Sequence, residues 1–323
     1  MTEIADRTKL ALRAAQMYYV RDLKMTAIAD SMHMSRSSVS RLLTYARDTG
    51  LVDIRIKAPT DGIARLQHSI RLHNGATAYI IPVPSGMSPQ ERSVQVARHA
   101  GRIFSAMVEP SSVVGVAWGT TMAGVSRHLV SRPLSDVTVV QLNGAAYPEN
   151  FGIDFVGDIL DRFAQTFTAR VEPLPVPAFF DDPVTRTAMW RERTVARIRA
   201  LHTRLDTVVF GIGAPDSDIP GHVYRSGYLD AHDRAQLAAD GVVGDVATVF
   251  LRADGTHDAI ALNERSSGPD LALLRRAQRR VCVVSDPSRM SALRGALAAG
   301  LITDLIIDEH SARELTRTYV QGT

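Results

Sequence analysis

The sequence predicts an α/β protein with a small N-terminal helical domain ahead of a larger domain built on a doubly wound parallel sheet. Three observations predict it. The 323-residue length exceeds what one compact core usually fills. From Thr8 to Arg55 apolar residues recur at helical spacing with short loops, ending in the alternating segment Leu51-Val52-Asp53-Ile54-Arg55-Ile56. Beyond Asn74 short continuous apolar runs alternate with amphipathic helical stretches, the pattern of strands covered on both faces by helices.

The boundary falls at Ala58-Pro59-Thr60-Asp61-Gly62, which breaks the helical period. Residues 1–58 read as a winged helix-turn-helix domain. Residues 59–75 read as a linker, helical from about Ile63 to His73, and residues 76–323 as the large domain. Its strands are expected at Ala78–Val83, Ser112–Trp118, Val137–Leu142, Thr207–Ile212, Val281–Ser285 and Ile302–Asp308. Helices are expected between them at Pro89–Val108, Thr121–Val130, Ile153–Phe167, Asp182–Leu205 and Ser288–Ala299. Such an alternation is Rossmann-like, and its ligands sit beyond the C-terminal strand ends. A hairpin is expected within Gly244–Ile260, turning at Asp254-Gly255 between Ala247–Leu251 and Asp258–Leu262.

Composition is that of a folded chain, 45% apolar and 22% charged. The net charge of +3 is uneven. Residues 1–60 hold ten Lys/Arg against six Asp/Glu, and the remainder is close to neutral. A basic front suggests a polyanionic partner and a neutral body a small-molecule role. The lone Cys282 lies in the apolar run Val281–Val284, where a core position is expected and neither a disulfide nor a cysteine-based metal site can form within the chain. No cofactor is implied. With no apolar signal core and no stretch long enough to span a bilayer, a cytoplasmic protein without a membrane partner is expected.

The densest signal runs from Met25 to Leu43. Thr26 can cap a short helix whose Ile28, Ala29 and Met32 face inward, His33-Met34 turns, and Ser35 can cap the next helix, which buries Val39, Leu42 and Leu43. Arg36, Ser37, Ser38, Ser40, Arg41 and Tyr45 are left for the opposite face. Short hydroxyls allow close approach to a duplex while arginines reach guanine edges or phosphates, so operator DNA is the expected partner. The small Ala29 suits two helices crossing steeply. Arg55 and Lys57 are candidates for wing contacts to phosphate, with Lys24 and Arg47 behind them.

In the large domain, Trp118-Gly119 at a strand end leads into Thr120-Thr121 at a helix start. Free amides, a partly positive helix end and two hydroxyls suit an anion there, although Gly-Thr-Thr also simply caps helices. Asn143-Gly144, Gly213 and Arg289 follow other strand ends that should face the same crevice, and Asp245 is a candidate for holding hydroxyls or a plain turn acid.

At these residues the chain resembles the SorC family of bacterial sugar-responsive regulators. The resemblance rests in front on Tyr18-Tyr19, Ile28-Ala29, the run Ser35–Leu43 and Ala46–Val52. In the large domain it rests on Gly115–Thr121, Gly211-Ile212-Gly213, Gly241–Asp245, Ala292–Leu301, Thr303-Asp304 and Asp308-Glu309. It implies an effector domain similar to sugar-phosphate isomerases with catalysis lost. It also implies a homotetramer acting as a repressor released by a phosphorylated sugar or polyol. Two departures matter. Deoxyribonucleoside-type members carry a lysine after the position of Leu142 that can form an imine, whereas this chain has Asn143. Arg289 replaces a phosphate-binding lysine, which keeps the charge in a bulkier, forked form. An unphosphorylated sugar or polyol stays open as the effector. An isomerase or deaminase would need an acid and base across the sugar, from Asp245, Asp216 or Glu264, and no compact acidic motif stands beside the Gly119 turn.

Overall fold

A computed structural model of the chain describes residues 2–52, 60–84, 86–145, 153–225 and 227–319. It divides into two compact units, Met1–Ala58 and Pro59–Thr323.

In the first unit α1 (Thr2–Ala15) runs into a π-helical turn, Gln16–Val20, followed by α2 (Met25–Ser31) and α3 (Arg36–Asp48). Its core holds Ala11, Ala14, Met17, Ile28, Ala29, Val39, Leu42, Leu43 and Ala46. The many alanines let the helix axes approach closely. Ser35 caps α3 as expected, its Oγ accepting from Ser38 N at 3.1 Å. Thr26 does not cap α2. The chain turns one residue earlier, with extended Lys24 at the N-cap, so Thr26 lies inside the helix. The α2–α3 turn uses a left-handed His33 (φ 52°), and Met34 N donates to Ala29 O at 2.9 Å. Gly50 (φ 76°) ends α3, where Gly50 N and Val52 N donate to Arg47 O and Ala46 O. The expected wing strand continues past Val52 into residues outside those described, and Arg55 and Lys57 lie there too.

The second unit opens with α4 (Thr60–Asn74), the helix read as a linker. It packs along β1 (Thr77–Ile81), with Ile70 fully buried and Gln67 Nε2 donating to Ala78 O at 2.9 Å. There follow α5 (Pro89–Met107), β2 (Val113–Val116), α6 (Thr120–Ser126), β3 (Thr138–Gln141), α7 (Ile153–Phe167) and β4 (Arg170–Glu172). Next come α8 (Pro183–Met189), α9 (Arg193–His202), β5 (Thr207–Gly211), α10 (His222–Arg225), α11 (Ala231–Ala239), β6 (Val242–Val246) and β7 (Val249–Arg252). The chain ends with α12 (Ala261–Arg265), α13 (Leu271–Arg276), β8 (Arg279–Val284), α14 (Met290–Ala298), β9 (Asp304–Asp308) and α15 (Glu309–Arg317).

Among the described residues seven strands form one sheet in the order β1-β9-β8-β5-β2-β3-β4, every pair parallel. Alternate residues feed separate cores. Val208, Phe210, Cys282 and Val284 belong to one, and Val209, Val281 and Val283 to the other. Both faces are therefore buried, as continuous apolar strands require. From β2 the chain moves outward through β3 to β4, then returns to place β5 on the other side of β2. The direction of winding reverses between β2 and β5, and the crevice beyond their C-terminal ends is where such a sheet opens for a ligand.

Three expectations are corrected. The hairpin is β6–β7, antiparallel, and it turns at Ala247-Thr248, both left-handed (φ 48° and 66°). Asp254-Gly255 makes a later turn in which Asp254 Oδ1 accepts from Thr256 N, and Asp258–Leu262 is no strand but leads into α12. The 182–205 helix is broken at extended Glu192 into α8 and α9. The edge strand β4 was not expected at all, since three residues with only partial burial leave no apolar run to read.

Candidate functional site

The C-terminal ends of β2, β3 and β5, the β6–β7 turn and Arg289 converge on one cleft. Of the eight large-domain residues singled out in the sequence, seven line it: Gly119, Thr120, Thr121, Asn143, Gly213, Asp245 and Arg289. The eighth, Gly144, does not. Its N–H donates to Ser267 Oγ, and a Cβ there would lie 2.3 Å from Val176 O, so it is a glycine for packing against the Val176-Pro177 backbone.

Gly119 has φ 144°, a conformation that favours glycine, and as N-cap of α6 it brings no side chain to the first-turn amides. Thr120 is exposed and Thr121 half-buried at that turn. Gly211 makes room for Thr121, whose Cβ would be 3.0 Å from any Cβ placed there. Trp118 roofs this end, its indole N–H donating to Asn143 O at 3.1 Å and Gly144 O at 2.9 Å.

The opposite wall is polar and buried. Gly213 and Asp245 exchange backbone hydrogen bonds of 3.0 Å, so the carboxylate lies directly over the glycine. Asp245 Oδ2 accepts from Thr248 N at 3.0 Å, while Oδ1 has no hydrogen-bond partner among the described residues. Asn143 Oδ1 is orphaned in the same way. Burial pushes the Asp245 carboxyl above its ordinary range, opposed by Tyr224, Thr248 and Arg289. Burial, reinforced by the charge of Asp245, pushes the Tyr224 phenol well up. With the Tyr224 hydroxyl, which also lines the cleft without a hydrogen-bond partner among the described residues, these two buried acceptors are a place for a ligand's hydroxyls.

Arg289 is used differently from the expectation of a free oxyanion fork. Nη1 donates to Ile212 O at 2.7 Å and Nη2 to Ile219 O, while Nε stands 3.5 Å from Asp286 Oδ2. It braces the β5 end and the loop behind it, and its charge reaches the cleft through Asp245. Sequence reading missed Trp118, His222, Tyr224 and Thr248 as lining residues. The His222 ring, 5.0 Å from that of Phe155 and 6.0 Å from that of Trp118, follows a loop with no periodicity that would have marked it. The cleft is narrow, about 50 Å³. Among the described residues no cluster of His, Cys, Asp or Glu could hold a metal, and no helix is long and apolar enough to cross a membrane.

In the first unit α3 exposes Arg36, Ser37, Ser40 and Arg41, with Thr44 and Arg47 extending the face. Arg41 Nε reaches back to Ser37 O, and Ser35 Oγ lies 2.8 and 2.9 Å from Ser37 Oγ and Ser38 Oγ. Ser38 is half-buried at the margin. Tyr45 is turned away from this face. Its ring packs on the first unit's core, with the Arg7 guanidinium 4.6 Å from its centroid and Thr8 Oγ1 at 3.3 Å from its hydroxyl. At position 45 the helix has rotated past the exposed arc.

Residues 62–317 match the family described as "Putative sugar-binding domain". The chain is 28% identical over 313 residues to the deoxyribonucleoside regulator of Bacillus subtilis (strain 168), covering 96% of this chain and 98% of that one. A domain of a possible sugar-binding transcriptional regulator from Arthrobacter aurescens TC1 superposes with a TM-score of 0.75 at 49% identity, covering 80% of this chain and all of that one. Full-length sorbitol operon regulator SorC from Klebsiella pneumoniae has the same fold, with a TM-score of 0.76 at 23% identity over 95% of this chain and 98% of that one. The chain therefore belongs to the SorC family of transcriptional regulators that carry this sugar-binding domain.

Proposed function

We infer that the protein is a repressor whose α3 enters the major groove of operator DNA and whose cleft takes a phosphorylated sugar or polyol as the releasing effector. One observation carries the ligand reading. Uncapped first-turn amides at Gly119–Thr121 share a cleft with two orphaned buried acceptors, Asn143 Oδ1 and Asp245 Oδ1. The amides suit an oxyanion and the acceptors suit hydroxyls, which are the two ends of a sugar phosphate. Asn143 leaves no amine for an imine, so binding is non-covalent at that position, and regulation without turnover is the activity.

The narrow cleft, about 50 Å³ against the roughly 300–1,000 Å³ of ligand sites, means that the effector selects a wider state of its walls. In a tetramer placing paired recognition helices on successive major grooves, that shift misaligns them with the half-sites. A thermal-shift panel of phosphorylated and free pentoses, hexoses and polyols tests the ligand, with Arg41→Ala and Thr121→Ala as variants. Arg41→Ala should weaken operator binding at unchanged effector affinity, and Thr121→Ala the reverse. Equal damage to both activities by either variant, in a folded protein, would refute the division of labour.

A second reading, a neutral polyol, is favoured by Arg289, both of whose Nη groups are given to carbonyls rather than held free for a phosphate. Competition by inorganic phosphate separates the two, because a neutral ligand is indifferent to it.

A further inference from the structure

Ser266, Ser267 and Gly268, of which Ser266 is bonded to Thr248 of the cleft, line another cavity of about 590 Å³, well within the roughly 300–1,000 Å³ range of small-molecule sites. Its distinctive feature is cationic. Arg186 and Arg199 both lie against the Trp190 indole, their guanidinium carbons 5.2 and 5.1 Å from the ring centroid. Arg186, a lining residue, donates from Nε to Ser266 O at 2.6 Å, and its Nη groups have no hydrogen bond among the described residues. Arg199 makes no hydrogen bond among the described residues. Neither arginine has an ion-pair partner within 4 Å there; Arg186 is half-buried and Arg199 exposed.

The acidic groups that face them stand farther off. Glu264 acts on Arg186 and Asp270 on Arg199 only at longer range, and Asp270 Oδ1 is occupied in capping α13 at Ala272 N, 2.7 Å away. Burial and then the charge of Arg199 pull Arg186 below its ordinary value, and burial alone does so for Arg199. Two like charges on one cavity wall, one of them half-buried, are made more favourable when something of opposite sign joins them. Stacking on an indole compensates one guanidinium face but leaves the Nη groups of Arg186 and the guanidinium of Arg199 without a protein acceptor among the described residues. A group with several anionic oxygens satisfies both edges at once.

We propose that this cavity is a second binding site, for a small phosphorylated metabolite whose phosphate is held by Arg186 and Arg199 beside Trp190. The site is independent of the effector cleft in its residues but shares a wall with it. Ser266 accepts from Arg186 through its carbonyl and donates through Oγ to Thr248 O at 2.7 Å, and Thr248 N donates to Asp245. An anion that repositions Arg186 therefore acts on the carboxylate assigned to the effector, a consequence that rests on the reading of the cleft above.

The chain has two tryptophans, Trp118 in the cleft and Trp190 in this cavity, so Trp118→Phe leaves Trp190 as the sole indole. Inorganic phosphate titrated against chloride of matched ionic strength should change Trp190 emission saturably, with apparent affinity falling at least about tenfold in Arg186→Gln and Arg199→Gln, one charge-assisted contact being worth that much. A response that merely follows chloride, or a saturable one that survives both arginine substitutions, overturns the proposal and leaves the arginines as stacking residues only. Should Trp118→Phe not fold, the melting temperature of the otherwise unaltered chain gives the same decision. Arg199→Gln should melt no lower than the parent in chloride, yet lose part of the increment that phosphate confers, and an undiminished increment refutes the site. No effector is needed in either titration, so a failure here is distinct from a failure of the cleft reading.

Discussion

Gly213→Ala is the sharpest perturbation the cleft allows. A methyl on residue 213 would stand 1.9 Å from Asp245 Oδ1, 2.9 Å from its Cγ and 3.1 Å from Tyr224 Cε2. The backbones cannot separate to relieve this, because residues 213 and 245 are joined by two 3.0 Å hydrogen bonds. The carboxylate must rotate instead, which breaks its 3.0 Å contact with Thr248 N. Overpacking costs roughly 1–3 kcal/mol and a lost hydrogen bond to a charged group roughly 1.5–3 kcal/mol, partly offset if the carboxylate regains water. A net loss of about 2–4 kcal/mol is expected in thermal or denaturant unfolding of the large unit. Effector affinity should fall roughly 10- to 100-fold, the worth of one misplaced charged acceptor. Operator affinity without effector should be unchanged. Gly221→Ala is the control in the same cleft, since its Cβ would meet Tyr224 Cδ2 at 3.4 Å and Gly213 Cα and Tyr224 Cε2 at 3.8 Å, all ordinary contacts. If Gly213→Ala retains the stability and effector response of Gly221→Ala, then Asp245 is not held over residue 213 and the argument for its role fails.

Ser35→Ala removes the acceptor for Ser38 N and should cost about 1 kcal/mol, seen as faster hydrogen exchange at the start of α3 and weaker operator binding, and unaltered exchange would contradict the cap. Asp245→Asn tests the buried acid by pH. Because burial raises the folded-state pKa above the ordinary 3.8, the ionised carboxyl costs stability as pH rises through the folded value, and that cost is absent below 3.8. The variant should therefore be more stable than the parent at neutral pH while binding effector less well, the difference vanishing in acid; a constant difference across pH would count against it. Phe104→Ala empties a fully buried position that packs on Phe163 and Phe167 at centroid distances of 5.7 and 6.4 Å, and should lower stability by roughly 3–5 kcal/mol without selective loss of ligand binding.

The parallel sheet was legible because both faces of its central strands are buried. Runs such as Val281–Val284 and Leu305–Ile307 must be continuously apolar, so the signal that defines the fold is also the one easiest to see. Where burial is partial the signal goes. Arg170–Glu172 pairs along the edge with only Val171 packed on the core, and nothing in three such residues distinguishes a strand from a loop. The hairpin went wrong for a more particular reason. Asp254-Gly255 has the turn chemistry that local sequence favours, whereas Ala247-Thr248 has none. Those two residues hold left-handed conformations because Asp245 Oδ2 takes Thr248 N and Ser266 Oγ donates to Thr248 O. Contact from residues eighteen positions away cannot be read from a four-residue window.

The same distinction explains which site residues were foreseen. Gly119, Thr120, Thr121, Asn143 and Gly213 stand just past strand ends, and in a doubly wound sheet that position alone converges on the switch point, so topology located them before any chemistry was considered. Tyr224 and His222 come to the cleft on the short α10, reached through a loop whose course is set by tertiary packing, and no strand end announces them. Arg289 was placed correctly and its use misread, because composition shows a cation but not the carbonyls of Ile212 and Ile219 that occupy it. Arg186 and Arg199, two cations of one cavity without an ion-pair partner within 4 Å among the described residues, lie on helices the sequence read only as one amphipathic stretch. If an anion does seat between them, the unpaired cation rather than the strand end is the feature that reveals a ligand site in this fold, and the phosphate titration of Trp190 decides it.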